Sequence, residues 1–170
     1  MPMVLPVKML VVDDDTFVRM LFAFDLPDVE LIEARTVREA AELLAEHQPD
    51  VIVVDRRLPD GDGLQLIRAI RGDGDTGQVP IVLLTAAHDP GQEPEVLRAG
   101  ADAYMGKPFE ADTLMAIVRG VQEIPAPQRR EFRRANASRL ERGLAAVPSL
   151  RPAASQASSS SQGRWSRKTR

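Results

Sequence analysis

The sequence predicts an α/β protein in which five parallel strands form one doubly wound sheet with helices on both faces. Short apolar segments alternate five times with helical patterns before residue 122, as in a series of βα units. Three of the apolar segments are unbroken runs, which indicates strands buried on both faces. In such sheets ligands bind beyond the carboxyl ends of the strands, so the residues that follow each strand are the candidates for a functional site.

Five segments have the length and composition of short strands. They span residues 9–12, 31–34, 51–54, 81–84 and 103–105. The first, third and fourth contain only aliphatic residues and methionine. The connections between successive parallel strands are expected to be right-handed.

The segments between the strands have the spacing of helices. In the first and the last, apolar residues recur at i, i+3, i+4 and i+7, at Phe17, Met20, Leu21 and Phe24 and again at Leu114, Ile117, Val118 and Val121. Thr36 followed by Glu39 is a capping-box pattern that begins another helix. A further helix is closed by Gly72, and a short one of about two turns lies between Pro94 and Gly100.

The composition favours a soluble protein of the cytoplasm. The 170 residues include no cysteine, which excludes disulfides and thiolate metal sites. The longest apolar runs are about five residues, whereas a membrane span needs about 20. Lys8 lies inside the first apolar run and acids follow it, a layout that does not fit a signal peptide. We therefore expect no membrane span.

The net charge of −3 conceals an asymmetry between the two ends of the chain. Residues 1–120 contain 11 basic and 22 acidic residues, a net charge of −11, whereas residues 121–170 contain 11 basic and 3 acidic residues, a net charge of +8. This distribution predicts an acidic domain followed by a basic extension. We assign the domain to residues 1–122, a linker to 123–128, a basic helix to 129–147 and a disordered tail to 148–170.

Charged and hydroxyl side chains follow four of the predicted strands. They are Asp13, Asp14 and Asp15 after the first, Asp55 after the third, Thr85 after the fourth and Lys107 after the fifth. Carboxylates placed close together repel one another, and Mg²⁺ removes that repulsion while keeping positions for phosphate oxygens. A carboxylate that stays free can attack phosphorus, and lysine can hold a phosphoryl oxygen. The pattern indicates phosphoryl transfer to an aspartate.

Four motifs in this order, "VVDDD", "VDRRLPDGDG", "LLTA" and "ADAYMGKPF", resemble the receiver domain of two-component response regulators. The resemblance covers residues 7–122 and implies a flavodoxin-like sheet with strand order 2-1-3-4-5. It implies that a histidine kinase or a histidine phosphotransferase donates a phosphoryl group and that a downstream protein then binds. Such a module is not an enzyme, since it catalyses only its own phosphorylation and dephosphorylation.

The resemblance also assigns the metal site and the acceptor. Asp55 matches the phospho-acceptor, and Asp13 and Asp14 match the acidic pair that holds Mg²⁺ together with Asp55. The backbone carbonyl of Arg57, two residues after the acceptor, matches a further metal ligand. Asp15 is expected to be solvated or to cap the first helix.

The resemblance assigns the remaining site residues to the switch and to phosphate binding. Thr85 matches the hydroxyl that moves toward the phosphoryl group, and Tyr104 matches the aromatic residue that moves with it. Lys107 matches the lysine of the site, and its bond to Pro108 is implied to be cis. The alternative is that Tyr104 is a static aromatic residue at the edge of the core, since the sequence would be the same in both cases.

Two features near the acceptor are interpreted from their residue types. In "PDGDG", Asp60 and Asp62 are expected to form a turn and not to bind metal, and Gly61 and Gly63 are expected to relieve backbone strain. The Arg57 side chain has two interpretations: it pairs with the phosphoryl group or Asp55, or it lies across the surface.

The sequence of the basic extension is compatible with several functions. Residues 121–170 are too few and too rich in serine for a DNA-binding domain, so we expect a stand-alone receiver. The predicted helix has three options, which are docking to a partner, docking to its own acidic domain and weak contact with nucleic acid. The alternative is that the whole extension is a solvated, unstructured tail. The alternative functions are a scaffold that acts through this extension and a phosphate sink, and a homodimer is a further expected association.

Overall fold

The computed structural model describes residues 6–26, 28–86 and 92–142. Within these ranges the strands are β1 Val7–Val12, β2 Val29–Ala34, β3 Val51–Asp55, β4 Arg57–Leu58, β5 Gly61–Asp62, β6 Ile81–Thr85 and β7 Ala103–Gly106. Five of them form one parallel sheet in the order β2-β1-β3-β6-β7, while β4 and β5 form a separate antiparallel pair. The predicted 2-1-3-4-5 order is confirmed, because the small pair lies outside the main sheet.

Six helices accompany the strands in the described part of the chain. They are α1 Thr16–Asp25, α2 Val37–Glu46, α3 Gly63–Gly72, α4 Glu93–Ala99, α5 Ala111–Gln122 and α6 Ala126–Glu141. Among the residues that the structure describes, none of these helices combines the length and the apolar character that crossing a bilayer requires.

Alternating residues of the central strands supply two hydrophobic clusters on opposite faces of the sheet. Leu10 and Val12 of β1 pack in one cluster with α2, α3 and α4. Met9 and Val11 pack in the other cluster with α1 and α5. All five residues of β3 are buried, as expected for a strand covered on both faces. Helices therefore lie on both faces, as predicted.

The first helix is present, and Leu21 of its predicted apolar spacing packs against the core, whereas the side chains of Phe17 and Phe24 lie outside the described residues. Val18 and Phe22 are buried, whereas Met20 is half exposed. The Phe22 ring lies 6.1 Å from the ring of Phe109, centroid to centroid. Phe22, which lies outside the predicted spacing, therefore joins the buried residues of α1 through its contact with Phe109.

The predicted capping pattern at α2 is confirmed and has an added partner. The Thr36 hydroxyl accepts the Glu39 N–H, and the Glu39 carboxylate accepts the Arg35 N–H. Asp60, between β4 and β5, accepts two further N–H groups at the start of α2. These two bonds, from the backbone N–H groups of Val37 and Arg38, lower the pKa of Asp60.

The linker and the basic helix have different bounds from those predicted. α6 begins at Ala126, so three residues assigned to the linker are helical. The assignment of a linker by composition was wrong for these three residues, because Pro127 lies in the first turn of α6, where a missing N–H costs no hydrogen bond. The rest of the predicted helix and the predicted tail, residues 143–170, lie outside the described residues.

α6 packs against α4 of its own domain, which is one of the three options for the basic helix. Arg129, Asn136 and Ala137 are buried in this contact region. The Arg129 and Arg133 guanidinium groups reach the buried Asp102 carboxylate at the start of β7. The acidic domain and part of the basic extension therefore form one packed unit.

Candidate functional site

The sheet brings the predicted acids together at one edge. Val12 of β1 is in register with Val54 of β3, so Asp13 and Asp55 leave the sheet side by side. Thr85 ends the next strand, β6, and its carbonyl accepts the Lys107 N–H at 2.8 Å. Because neighbouring parallel strands end at the same edge, residues 94 positions apart in sequence become neighbours.

The Lys107 ammonium group lies between the two buried carboxylates. Its Nζ is 2.7 Å from Asp13 Oδ2 and 3.2 Å from Asp55 Oδ2. The Asp13 side chain is fully buried, and the Asp55 side chain is 9% exposed. Asp13 Oδ1 also accepts the Asp15 N–H at 2.9 Å. The lysine thus compensates two carboxylates that have lost most of their water.

The charges in this cluster are strongly coupled. Burial raises the pKa of Asp55, the nearby charge of Asp13 raises it further, and Lys107 opposes both effects. Burial also disfavours the charged form of Lys107, but Asp13 and Asp55 outweigh it and raise the pKa of the lysine. The site therefore favours an added cation beside Asp55, since an extra positive charge would stabilise its ionised form.

Three carboxylates have the arrangement of a cation site. One oxygen each from Asp13, Asp14 and Asp55 lies within 4.8 Å of the others. Asp13 and Asp55 are buried, and Asp14 is exposed, so the cluster opens to solvent on one side. Oxygen ligands with an open side are what Mg²⁺ uses in proteins.

Gly63 lets the turn after β3 approach the backbone of the acceptor strand. A Cβ at this position would lie 2.2 Å from the Asp55 carbonyl oxygen. The Gly63 N–H donates to the Arg56 carbonyl at 2.7 Å. The expected role in relieving strain was wrong for Gly63, because its backbone has no left-handed conformation and close approach alone requires glycine.

Gly63→Ala is expected to lower the free energy of unfolding by about 1–3 kcal/mol, because the methyl group must displace backbone beside Asp55. Urea unfolding followed by circular dichroism measures the change. Gly74→Ala is the matched control, since a Cβ there meets nothing within 4 Å. Equal stability of the two variants would contradict the close-approach explanation.

The two arginines after the acceptor have different environments. The Arg57 side chain is exposed, and its backbone N–H lies 3.4 Å from Asp55 Oδ1. The Arg56 guanidinium turns the other way and binds Gln92 and Glu95 at the start of α4. Arg56, for which the sequence suggested no role, therefore joins the acceptor strand to α4.

Tyr104 also contacts the start of α4. Its hydroxyl donates a hydrogen bond to the Glu93 carboxylate, and its ring packs against the cluster that contains α3 and α4. Thr85 is half-buried at the end of β6. The Lys107–Pro108 bond is cis, as the resemblance implied.

Asp60 and Asp62 lie outside the cation cluster, as expected of turn residues. Asp60 caps α2. Asp62 caps α3 by accepting the Leu64 N–H at 2.9 Å. The turn between β3 and α3 thus positions two helices, and its two carboxylates bind helix N–H groups instead of joining the cluster around Asp55.

The chain matches the model of the response regulator receiver domain over residues 9–119. It belongs to the response regulator receiver family. Among relatives, it is 39% identical over 127 residues to the response regulator MprA of Mycolicibacterium vanbaalenii, covering 72% of this chain and 53% of that protein. It is 40% identical over 111 residues to the transcriptional regulatory protein PhoP of Escherichia coli, covering 64% of this chain and 49% of that protein.

Solved receiver structures agree with this assignment. The chemotaxis response regulator CheY4 of Vibrio cholerae is 30% identical with a TM-score of 0.64, over 68% of this chain and 98% of that one. The BeF3-activated receiver domain of Klebsiella pneumoniae RstA is 32% identical with a TM-score of 0.63, over 69% and 99%. This receiver chain spans about half the length of the curated relatives it matches.

Proposed function

We propose that Asp55 accepts a phosphoryl group from a histidine kinase or a histidine phosphotransferase. The observation that supports this most directly is the Lys107 ammonium group between Asp13 and Asp55, at 2.7 and 3.2 Å. Of the three carboxylates in the cluster, Asp55 terminates the fully buried central strand β3, which holds it firmly. A carboxylate held in this way loses little freedom when it reacts.

The proposed step is a direct displacement at phosphorus. An oxygen of Asp55 forms a bond to phosphorus while the bond from phosphorus to the donor's histidine nitrogen breaks. The imidazole nitrogen keeps the electron pair of the broken bond. Lys107 compensates charge on the transferred phosphoryl oxygens, and Thr85 is proposed to donate a hydrogen bond to one of them.

The residues present fit a bound Mg²⁺. Asp13, Asp14 and Asp55 would hold it, and the backbone carbonyl of Arg57, two residues after the acceptor, is proposed as a further ligand. When bound, the ion would neutralise the carboxylates and the phosphoryl oxygens. Burial and Asp13 raise the pKa of Asp55, so a cation here would also keep Asp55 ionised and nucleophilic.

The proposed output surface includes the start of α4. Tyr104 reaches it through Glu93, and Arg56 reaches it through Gln92 and Glu95. We propose that Thr85 and Tyr104 change position when Asp55 is phosphorylated and that a downstream protein in the cytoplasm binds the altered surface. No separate substrate is turned over in this proposal.

A second candidate is a scaffold protein that acts through the basic extension. The observation that favours it is the net charge of +8 in residues 121–170. Contact with nucleic acid through these residues would weaken steeply with added salt. A phosphate sink would use the same Asp55 chemistry and would need no downstream partner.

Asp55→Asn is expected to abolish phosphorylation of the full chain by labelled acetyl phosphate with Mg²⁺. The parent is expected to gain one phosphoryl group, and a chelator is expected to slow the reaction. Asp75→Asn, which removes an exposed carboxylate that is not part of the cluster, is expected to match the parent. Intact mass measurement follows the modification, and retained labelling of Asp55→Asn would place the acceptor elsewhere.

A further inference from the structure

A basic groove lies between α4, α6 and the loop that follows α3. Its volume is about 750 Å³, within the range of small-molecule sites. Five arginines line it, namely Arg71, Arg98, Arg130, Arg133 and Arg134. No acidic residue is among the described residues that line this arginine groove.

One face of α6 forms a wall of the arginine groove. Residues 130, 133, 134, 137 and 138 follow the i, i+3, i+4, i+7, i+8 spacing of a single helix face. Ala137 and Ser138 are small and leave space at one end of that face. Arg130 and Arg134 are an i, i+4 pair of like charges, an arrangement that is destabilising without a counter-ion.

Two of the five arginines already serve the fold. Arg71 donates to the carbonyl oxygens of Gly100, Gly77 and Val79 and to the Asp102 carboxylate. Arg133 binds the other Asp102 oxygen. These bonds fix the floor of the groove, so a ligand would enter a site whose shape is set in advance.

Arg130 and Arg134, on the α6 wall of the groove, are exposed. Arg130 and Arg134 form no ion pair with any side chain that the structure describes. Arg98 of α4 lines the groove with them. Burial lowers the pKa of Arg71 to about 10; the Asp102 carboxylate opposes that change, and the charges of Arg133 and Arg129 add to it.

We propose that the arginine groove binds a small phosphate-rich anion, either an inorganic oligophosphate or a nucleoside polyphosphate. Guanidinium groups match phosphate oxygens with two parallel hydrogen bonds. The ligand would neutralise the like charges of Arg130 and Arg134 and would bridge α4 to α6. The site is separate from the Asp55 cluster, and the proposal does not depend on phosphorylation.

The test is calorimetric titration of the full chain with tripolyphosphate and with ATP, both without Mg²⁺. The parent is expected to bind one anion per chain, and Arg130→Gln/Arg134→Gln is expected to weaken binding about tenfold or more. The matched control Arg38→Gln/Arg119→Gln removes two exposed arginines from α2 and α5. It is expected to stay within about twofold of the parent, since neither Arg38 nor Arg119 lines the groove and exposed charges are screened.

The individual titrations separate the sources of phosphate. ATP binding well above tripolyphosphate, with adenosine inactive, would identify a nucleotide, whereas equal binding would identify the oligophosphate group alone. Unchanged affinity in Asp55→Asn would support the groove over the Asp55 cluster. Absence of binding, equal weakening in both double variants, or tighter binding of a short DNA duplex than of either anion would overturn the proposal.

Discussion

Asp102→Ala is expected to lower the free energy of unfolding by about 3–5 kcal/mol, because it leaves buried positive charges without a counter-ion. The Asp102 side chain is fully buried and receives Arg71 at 2.7 Å and the Ile81 N–H at 2.9 Å. Arg133 binds its second oxygen, and Arg129 Nε lies 3.4 Å from the same oxygen. One carboxylate thus holds α3, β6 and α6 together.

Asp102→Ala should lower the free energy of unfolding by more than the removal of an exposed acid does. Urea unfolding followed by circular dichroism gives the free energy, and Asp112→Ala on the exposed side of α5 is the control. That control is expected to change stability by about 0.5 kcal/mol or less. A loss of similar size in both variants would show that the buried cluster contributes nothing beyond an ordinary surface acid.

Lys107→Met is expected to destabilise the protein by about 3 kcal/mol at neutral pH, because it leaves the buried Asp13 carboxylate uncompensated. Asp13 and Asp55 raise the pKa of Lys107 above 10.5. The stabilisation from the lysine is therefore complete below its unfolded pKa and is lost as the pH rises through its folded pKa. The difference between parent and variant should shrink in strongly alkaline solution.

At acidic pH, the pH dependence of stability comes from Asp55. Burial and Asp13 raise the pKa of Asp55 above 3.8, so the Asp55 carboxyl group holds its proton more tightly in the folded state than in the unfolded state. Stability consequently falls as the pH rises through the window between 3.8 and the folded pKa. In Lys107→Met this fall should be larger, since the charge that opposed the raised pKa is gone.

Unfolding measured from acid to alkaline pH, with and without Mg²⁺, checks the Lys107 prediction. Added Mg²⁺ is expected to recover part of the loss in Lys107→Met by neutralising the same carboxylates. The control is Lys8→Met, which removes a partly exposed ion pair with Glu30 at 3.7 Å, worth about 1 kcal/mol or less. A pH-independent loss in Lys107→Met would contradict the electrostatic explanation.

The sequence by itself determined the sheet and the edge at which the site forms. Unbroken aliphatic runs such as residues 51–54 indicate a strand that is covered by helices on both faces. Asp55, at the end of that run, therefore lies at the carboxyl edge of the sheet. The parallel order then brings Asp13, Asp55 and Lys107 to one edge. The buried strands follow from the local periodicity of each segment, whereas the strand order was implied by the resemblance to receiver domains.

Only the tertiary structure decided the contacts that join distant segments. Asp60 caps a helix that begins 23 residues earlier, and Arg56 reaches Glu95 on α4. The opposite charges of the acidic domain and the basic extension allowed docking, but they did not identify Asp102 as the buried acid that α6 contacts. The Asp102 partners Arg71 and Arg133 are each 31 positions away, and no local pattern specifies which distant charge will compensate a buried acid.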